Sequence, residues 1–141
     1  VYGRVVMQID FNQADFKPAE SILLKIENTI NDFKGTVRLA VCDHIGSVPA
    51  IIFPILEITT FYHEKGIPVF IDGAHAVCQT DIDIAKVDPD GYVTNFHKWA
   101  YAPKQAAMLY ISDRFKDVLF TTKQANSSDN YRQLLRRRPS P

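Results

Sequence analysis

The run "IPVFID", residues 67–72, constrains this chain more than any other stretch. Five residues pass without one polar side chain before an aspartate ends them. A strand with one face in water alternates apolar and polar residues. A strand buried on both faces does not, and that pattern belongs to parallel sheets. A parallel neighbour must be reached by a crossover of about a dozen residues or more. The chain supplies such crossovers. Residues 2–9 and 37–42 are β-branched-rich or apolar and are predicted strands, as are 91–94 and 106–111. Between the first two, Ile22, Ile26, Ile30 and Phe33 recur at helical spacing after Pro18, and Lys34-Gly35 ends the run. Residues 54–65 form a second predicted helix, stopped by Gly66, and 112–119 a short third. Strands alternating with helices predict an α/β domain with a mostly parallel sheet flanked by helices.

At 141 residues the chain is expected to be one domain, with 46% apolar and 23% charged residues and a formal net charge of zero. A neutral chain has no long-range field to draw it to nucleic acid or a membrane, so neither is an expected partner. No apolar run approaches the ~20 residues needed to cross a bilayer. Cys42 and Cys78 form neither a CxxC pair nor a disulfide framework, and both are expected to be reduced, small, mostly buried side chains in a cytoplasmic protein. No metal centre is expected. No GxGxxG or Walker loop is present to hold a nucleotide phosphate. From about residue 120 the chain reads "TTKQANSSDNYRQLLRRRPSP", polar and without apolar periodicity, and 120–141 is expected to be a disordered tail. The chain opens on a strand in progress without an initiator methionine, which suggests a piece of a longer protein.

In open α/β sheets, ligands bind beyond the carboxyl ends of the strands. Asp72 caps "IPVFI", and Lys98 lies just past the strand "GYVT". If those strands are parallel, an acid and an amine emerge on one edge. A plain salt bridge would need nothing more. Pyridoxal phosphate would also use both: a lysine amine forms a Schiff base with its aldehyde, and a carboxylate keeps its pyridine nitrogen protonated. The protonated ring is then an electron sink for a carbanion on the substrate.

The stretches "VFIDGAHAVCQ" and "TNFHKWAYAPK" resemble the large domain of pyridoxal phosphate-dependent fold type I enzymes, in the class V aminotransferase family. Their spelling, with the "DHIGS" loop, is most similar to the isopenicillin N epimerase-like and cysteine desulfhydrase-like branch. The likeness covers about residues 1–119, which would be a partial pyridoxal phosphate-binding large domain. It implies Lys98 as Schiff-base lysine and proton shuttle, and Asp72 as partner of the pyridine nitrogen. It implies His75 as a catalytic residue contacting the ring's phenolic oxygen or stacking near it, Asn95 and His97 at the cofactor phosphate, and His44 reaching the cofactor oxygen or the substrate. Gln105 departs from the pattern, because a glycine usually follows the Pro-Lys pair there. Trp99 and Tyr101 are expected to pack within the loop, and Lys104 to be exposed. His63 is expected to favour the C-terminus of its helix electrostatically.

The resemblance implies an enzyme acting on a small amino acid by transamination, epimerisation or C–S cleavage, working as a homodimer when full length. It also implies segments outside this chain that stack on the ring and pair the substrate carboxylate. The alternative is a truncated, non-catalytic fragment serving as a structural or interaction module.

Overall fold

The computed structural model describes residues 5–16 and 20–116. The tail expected at 120–141 and the helix opening at Pro18 lie outside them. Among the described residues the elements run, after a single 3-10 turn at Gln13–Phe16, α1 (Glu20–Asp32), β1 (Ala40–Asp43), α2 (Ile55–Glu64), β2 (Val69–Asp72), α3 (Ile84–Val87), β3 (Gly91–Asn95) and β4 (Ala107–Ile111). The four strands form one sheet in the order β1-β2-β3-β4. β1, β2 and β3 are parallel, and β4 returns antiparallel to β3. This is the α/β, mostly parallel architecture expected from the sequence.

The ladder explains where the strands begin. Residues 37–42 read as a strand, yet β1 starts at Ala40. Its partner is Val69, and the residue before Val69 is Pro68, which has no N–H to donate. Pro68 contributes only its carbonyl, which accepts from the Ala40 N–H at 2.8 Å. The strand expected at 2–9 is not formed over residues 5–9, where Val5 and Val6 are 76% and 93% exposed. β-branched composition favours a strand, but a strand needs a neighbour to satisfy its backbone, and none pairs with these residues in the described chain.

α2 follows its sequence closely. Ile55, Ile58, Thr59 and Tyr62 fall at helical spacing and are buried. Gly66 then takes φ +68°, a left-handed conformation that costs glycine little. Its N–H bonds to the His63 carbonyl at 2.9 Å. Ile22 and Ile26 of α1 join Ile58 and Tyr62 of α2 against Val69, Ile71 and Tyr92 of the sheet in one core. These helices cover a single face of the sheet rather than flanking both. Strand alternation turns Val41 and Leu109 to the other face. There they are 66% and 58% exposed. Among the described residues, no helix is long and apolar enough to cross a membrane.

Beneath the opposite, amino-terminal rim of β2 and β3, Asp90 is buried and ties three elements together. Its carboxylate accepts from the Val69 N–H (2.8 Å), from Arg114 Nε (2.6 Å) and from His63 Nε2 (2.8 Å). His63 stands in the last turn of α2, as the helix-end expectation requires, and gains this carboxylate as a partner.

Candidate active site

The pairing of β2 with β3 is parallel, with Ile71 opposite Tyr92 and Asp72 opposite Val93. Asp72 and the loop carrying Lys98 therefore leave the sheet on the same rim. Both side chains line one open cleft of about 170 Å³, together with Asp43, Ser47 and His75.

The turn after β2 is held from several sides. Asp72 Oδ1 accepts from the Ala74 N–H at 2.9 Å, the turn bond expected of an aspartate before glycine. The Gly73 N–H donates to the Val93 carbonyl (2.7 Å), and the Thr94 hydroxyl donates to the Gly73 carbonyl (2.8 Å). Glycine is required at 73 by contact rather than by φ: a Cβ there would lie 2.2 Å from the Tyr92 hydroxyl oxygen. Tyr92 is fully buried, and its hydroxyl lies 2.8 Å from His44 Nδ1. Burial first, and then the Asp72 charge, push the Tyr92 hydroxyl up to about 12, so it remains a donor. Burial holds His44 below the ordinary histidine value, as a neutral ring. The two rings meet edge to face.

Lys98 and His75 meet on one side of the cleft. Lys98 Nζ lies 3.0 Å from His75 Nε2, and Trp99 Nε1–H donates to His75 Nδ1 at 3.3 Å. Trp99 is thus partly packed, at 44% exposure, whereas Tyr101, expected to pack in the same loop, is 99% exposed at φ +54°. The left-handed backbone turns Tyr101 outward. Lys104 is exposed, as expected.

The six residues singled out from the sequence separate into two groups. Asp72, His75 and Lys98 come together around the cleft. Asn95, His97 and His44 are not among its lining residues. Asn95 ends β3 opposite Ala107, His97 is exposed with Nδ1 3.4 Å from the Ala106 carbonyl, and His44 is buried against Tyr92. Among the cleft residues that were not candidates from the sequence, the charged one is Asp43, the last residue of β1, which stands opposite Asp72 in register. Burial and then the Asp72 charge push its carboxyl up, while His75 and Lys98 pull it down. Ending the predicted strand at Cys42 put Asp43 in a loop; two neighbouring strands closing on aspartate was the available signal.

The cysteines also depart from expectation. Both are free, but Cys78 is exposed, on a turn where it takes φ +63°. Cys42 lies against the core, and burial pushes its thiol up to about 12. A thiol held that far from ionisation is a poor nucleophile.

A carboxylate, an imidazole and an amine on the carboxyl rim of a parallel sheet define a class of site, one suited to a flat aromatic cofactor with a basic nitrogen and an aldehyde. The particular family follows from comparison. Residues 8–133 match the model of the aminotransferase class-V family, and the chain belongs to that family. It is 40% identical over 80 residues to an L-cysteine desulfhydrase of Arabidopsis thaliana, covering 56% of this chain and 18% of that protein. It is 39% identical over 82 residues to a hercynylcysteine sulfoxide lyase of Schizosaccharomyces pombe, covering 58% of this chain and 21% of that protein. The chain thus spans about a fifth of the length of these curated relatives. The solved SepCysS–SepCysE N-terminal domain complex shares the fold, with a TM-score of 0.61 at 23% identity over 76% of this chain and 29% of the other.

The family's cofactor is pyridoxal 5'-phosphate, and the cleft fits its reactive half. Asp72 spends one carboxylate oxygen in its turn, and its second has no partner among the described residues. That leaves a carboxylate oxygen that could face a cofactor's ring nitrogen, on the same rim as the Lys98 amine that could meet its aldehyde.

Proposed function

We infer that this chain carries the cofactor-binding rim of a pyridoxal phosphate-dependent enzyme that cleaves a C–S bond in a small amino acid. The observation that carries the inference is the placement of Asp72 and Lys98 on one rim of the parallel β2–β3 pair, opening into one cleft. The activities for which the two relatives are named, desulfhydrase and sulfoxide lyase, both break carbon–sulfur bonds and so favour that outcome over transamination or epimerisation. Bound cofactor supplies an electron sink for negative charge developing at the substrate α-carbon.

The chain's own residues do the remaining work. Lys98 holds the cofactor through its aldehyde and moves a proton to and from the α-carbon at Nζ, with His75 Nε2 within hydrogen-bond reach. Asp72 holds the ring nitrogen in its charged form, because an opposite charge beside a basic nitrogen favours protonation. The bonds from Ala74, Val93 and Thr94 to the Asp72–Gly73 turn fix that carboxylate before any ligand arrives. Neither Asn95 nor His97 lines the cleft, so its geometry lends no support to a phosphate role for either. His44 supports the rim twice, by its N–H bonded to the Asp72 carbonyl at 2.8 Å and by its ring against the Tyr92 hydroxyl.

The test is sulfide release from cysteine by the full-length parent protein. Lys98→Ala is expected to abolish it, and Asp72→Ala to lower kcat at least ~100-fold. Retained turnover in Asp72→Ala would overturn the role assigned to that carboxylate.

A non-catalytic module that pairs with another chain is the alternative. It is favoured by the open sheet face bearing Val41 and Leu109, which is the kind of surface a partner layer covers. A homodimer would serve the same end.

A further inference from the structure

Asp43 and Asp72 are neighbours by register, and register fixes which way both face. β1 and β2 run parallel, with Ala40 opposite Val69, Cys42 opposite Ile71 and Asp43 opposite Asp72. Ala40, Val69 and Ile71 are buried in the core, and Cys42 packs against it. Strand alternation then turns both aspartates to the face that the helices leave uncovered. Adjacent strands stand about 4.8 Å apart, so the two carboxylates leave the sheet side by side. Both line the cleft. Like charges directly opposite one another on neighbouring strands destabilise a sheet. Asp72 spends one oxygen on the Ala74 N–H, whereas Asp43 has no hydrogen bond to either oxygen among the described residues. Lys98 and His75 favour the charged form of Asp43 only from a distance. The rim thus carries two adjacent acids without a cation bonded to either.

We propose that Asp43 is a second carboxylate of the cofactor site, which with Asp72 forms a paired anionic seat for a positively charged ring nitrogen. The proposal deepens the reading of Asp72 given above and rests on it. If Asp72 faces the nitrogen, Asp43 stands one strand away on the same face. A cation held there meets two negative charges instead of one and relieves their mutual repulsion. It also favours the charged form of Asp43, in the same sense as Lys98 and His75. Strand order puts β2 between β1 and β3. Asp43 therefore lies on the side of Asp72 away from the strand that leads to Lys98, and its charge acts at the nitrogen rather than at the aldehyde.

The test is selective binding by the full-length parent protein at pH 8, above the carboxylate range. Equilibrium dialysis compares pyridoxal phosphate with its 1-deaza analogue, which has the same aldehyde and phosphate but a C–H in place of the ring nitrogen. The wild type is expected to prefer pyridoxal phosphate. Asp43→Asn is expected to lower that preference about two- to fivefold, the worth of one solvent-exposed charge pair. Its unfolding midpoint in urea without cofactor is expected to hold or rise, because a repulsion has been removed. An unchanged preference would overturn the proposal. Equal weakening of both compounds, with a lower midpoint, would mark a structural role and overturn it too. Asp72→Asn separates this from the reading beneath it. If the preference falls in Asp72→Asn but not in Asp43→Asn, the second carboxylate alone is refuted. If it falls in neither, or the wild type binds neither compound, the role of Asp72 fails and that of Asp43 with it.

Discussion

Gly73→Ala tests how tightly the rim is built. The added Cβ would lie 2.2, 2.3 and 2.4 Å from the hydroxyl oxygen, Cζ and Cε1 of Tyr92. Ordinary carbon contacts begin at about 3.5 Å, so ring or turn must give by about 1 Å. Neither does so freely. Tyr92 is fully buried and bonded to His44, and Gly73 is pinned at its N–H by Val93 and at its carbonyl by Thr94. Overpacking of this kind costs about 1–3 kcal/mol, and losing the Tyr92–His44 bond adds about 1 kcal/mol. The expected total is about 2–4 kcal/mol, measured by urea denaturation with an unchanged slope. If the clash is the cause, a smaller side chain at 92 must absorb part of it. Gly73→Ala in a Tyr92→Leu background is therefore expected to cost at least ~1 kcal/mol less than alone. A cost below ~0.5 kcal/mol, or strict additivity with Tyr92→Leu, would refute the reasoning.

Asp90→Ala is expected to destabilise by about 2–4 kcal/mol in the same assay. It leaves the buried Val69 N–H without an acceptor, frees His63, and leaves Arg114 held by Asp88 alone. The pH dependence has a definite sign. Burial opposes ionisation of Asp90, but the bonds from Val69, His63 and Arg114 outweigh it and hold the carboxyl below its ordinary value. Its stabilisation is therefore complete above about pH 3.9, the unfolded value, and is lost as pH falls through the lower folded value. Asp90→Asn should flatten that acid limb in a denaturation series, and an unchanged limb would contradict the assignment. Gln105 sits at φ +75°, where glycine is not strained. Gln105→Gly should therefore raise stability by up to about 1 kcal/mol, and a loss of stability on denaturation would contradict it.

Gln105 also shows how sequence and structure divide the information. The family's preference for glycine was visible as a departure at that position, but its cause, a left-handed backbone, was not. The apolar run 67–71 announced a strand, but only one of its faces is fully buried: Val69 and Ile71 enter the core, while Phe70, on the face the helices leave uncovered, is half-buried. Crossover length permitted the parallel pairing that brings Asp72 and Lys98 to one rim, and the β2–β3 register shows it. The extent of β1 was not legible, because it depends on a proline in another strand. Asp43 was hidden for a related reason: register, not local sequence, sets it opposite Asp72. His44 and His97 were recognisable by motif, yet motif does not say which way a ring turns. His44 turned inward because the Tyr92 hydroxyl offered a buried partner. The Trp99–His75 bond joins residues 24 apart and had no signal in the sequence.

The central claim is that Asp72 and Lys98 serve a single cofactor. It is tested most directly by incubating the chain with pyridoxal phosphate, reducing with borohydride and mapping the modified lysine by mass spectrometry, in the wild type and in Asp72→Ala. The account predicts the phosphopyridoxyl group on Lys98, absent in Lys98→Ala, with weaker cofactor retention in Asp72→Ala. Modification of other lysines in preference to Lys98, or retention indifferent to Asp72, would contradict it.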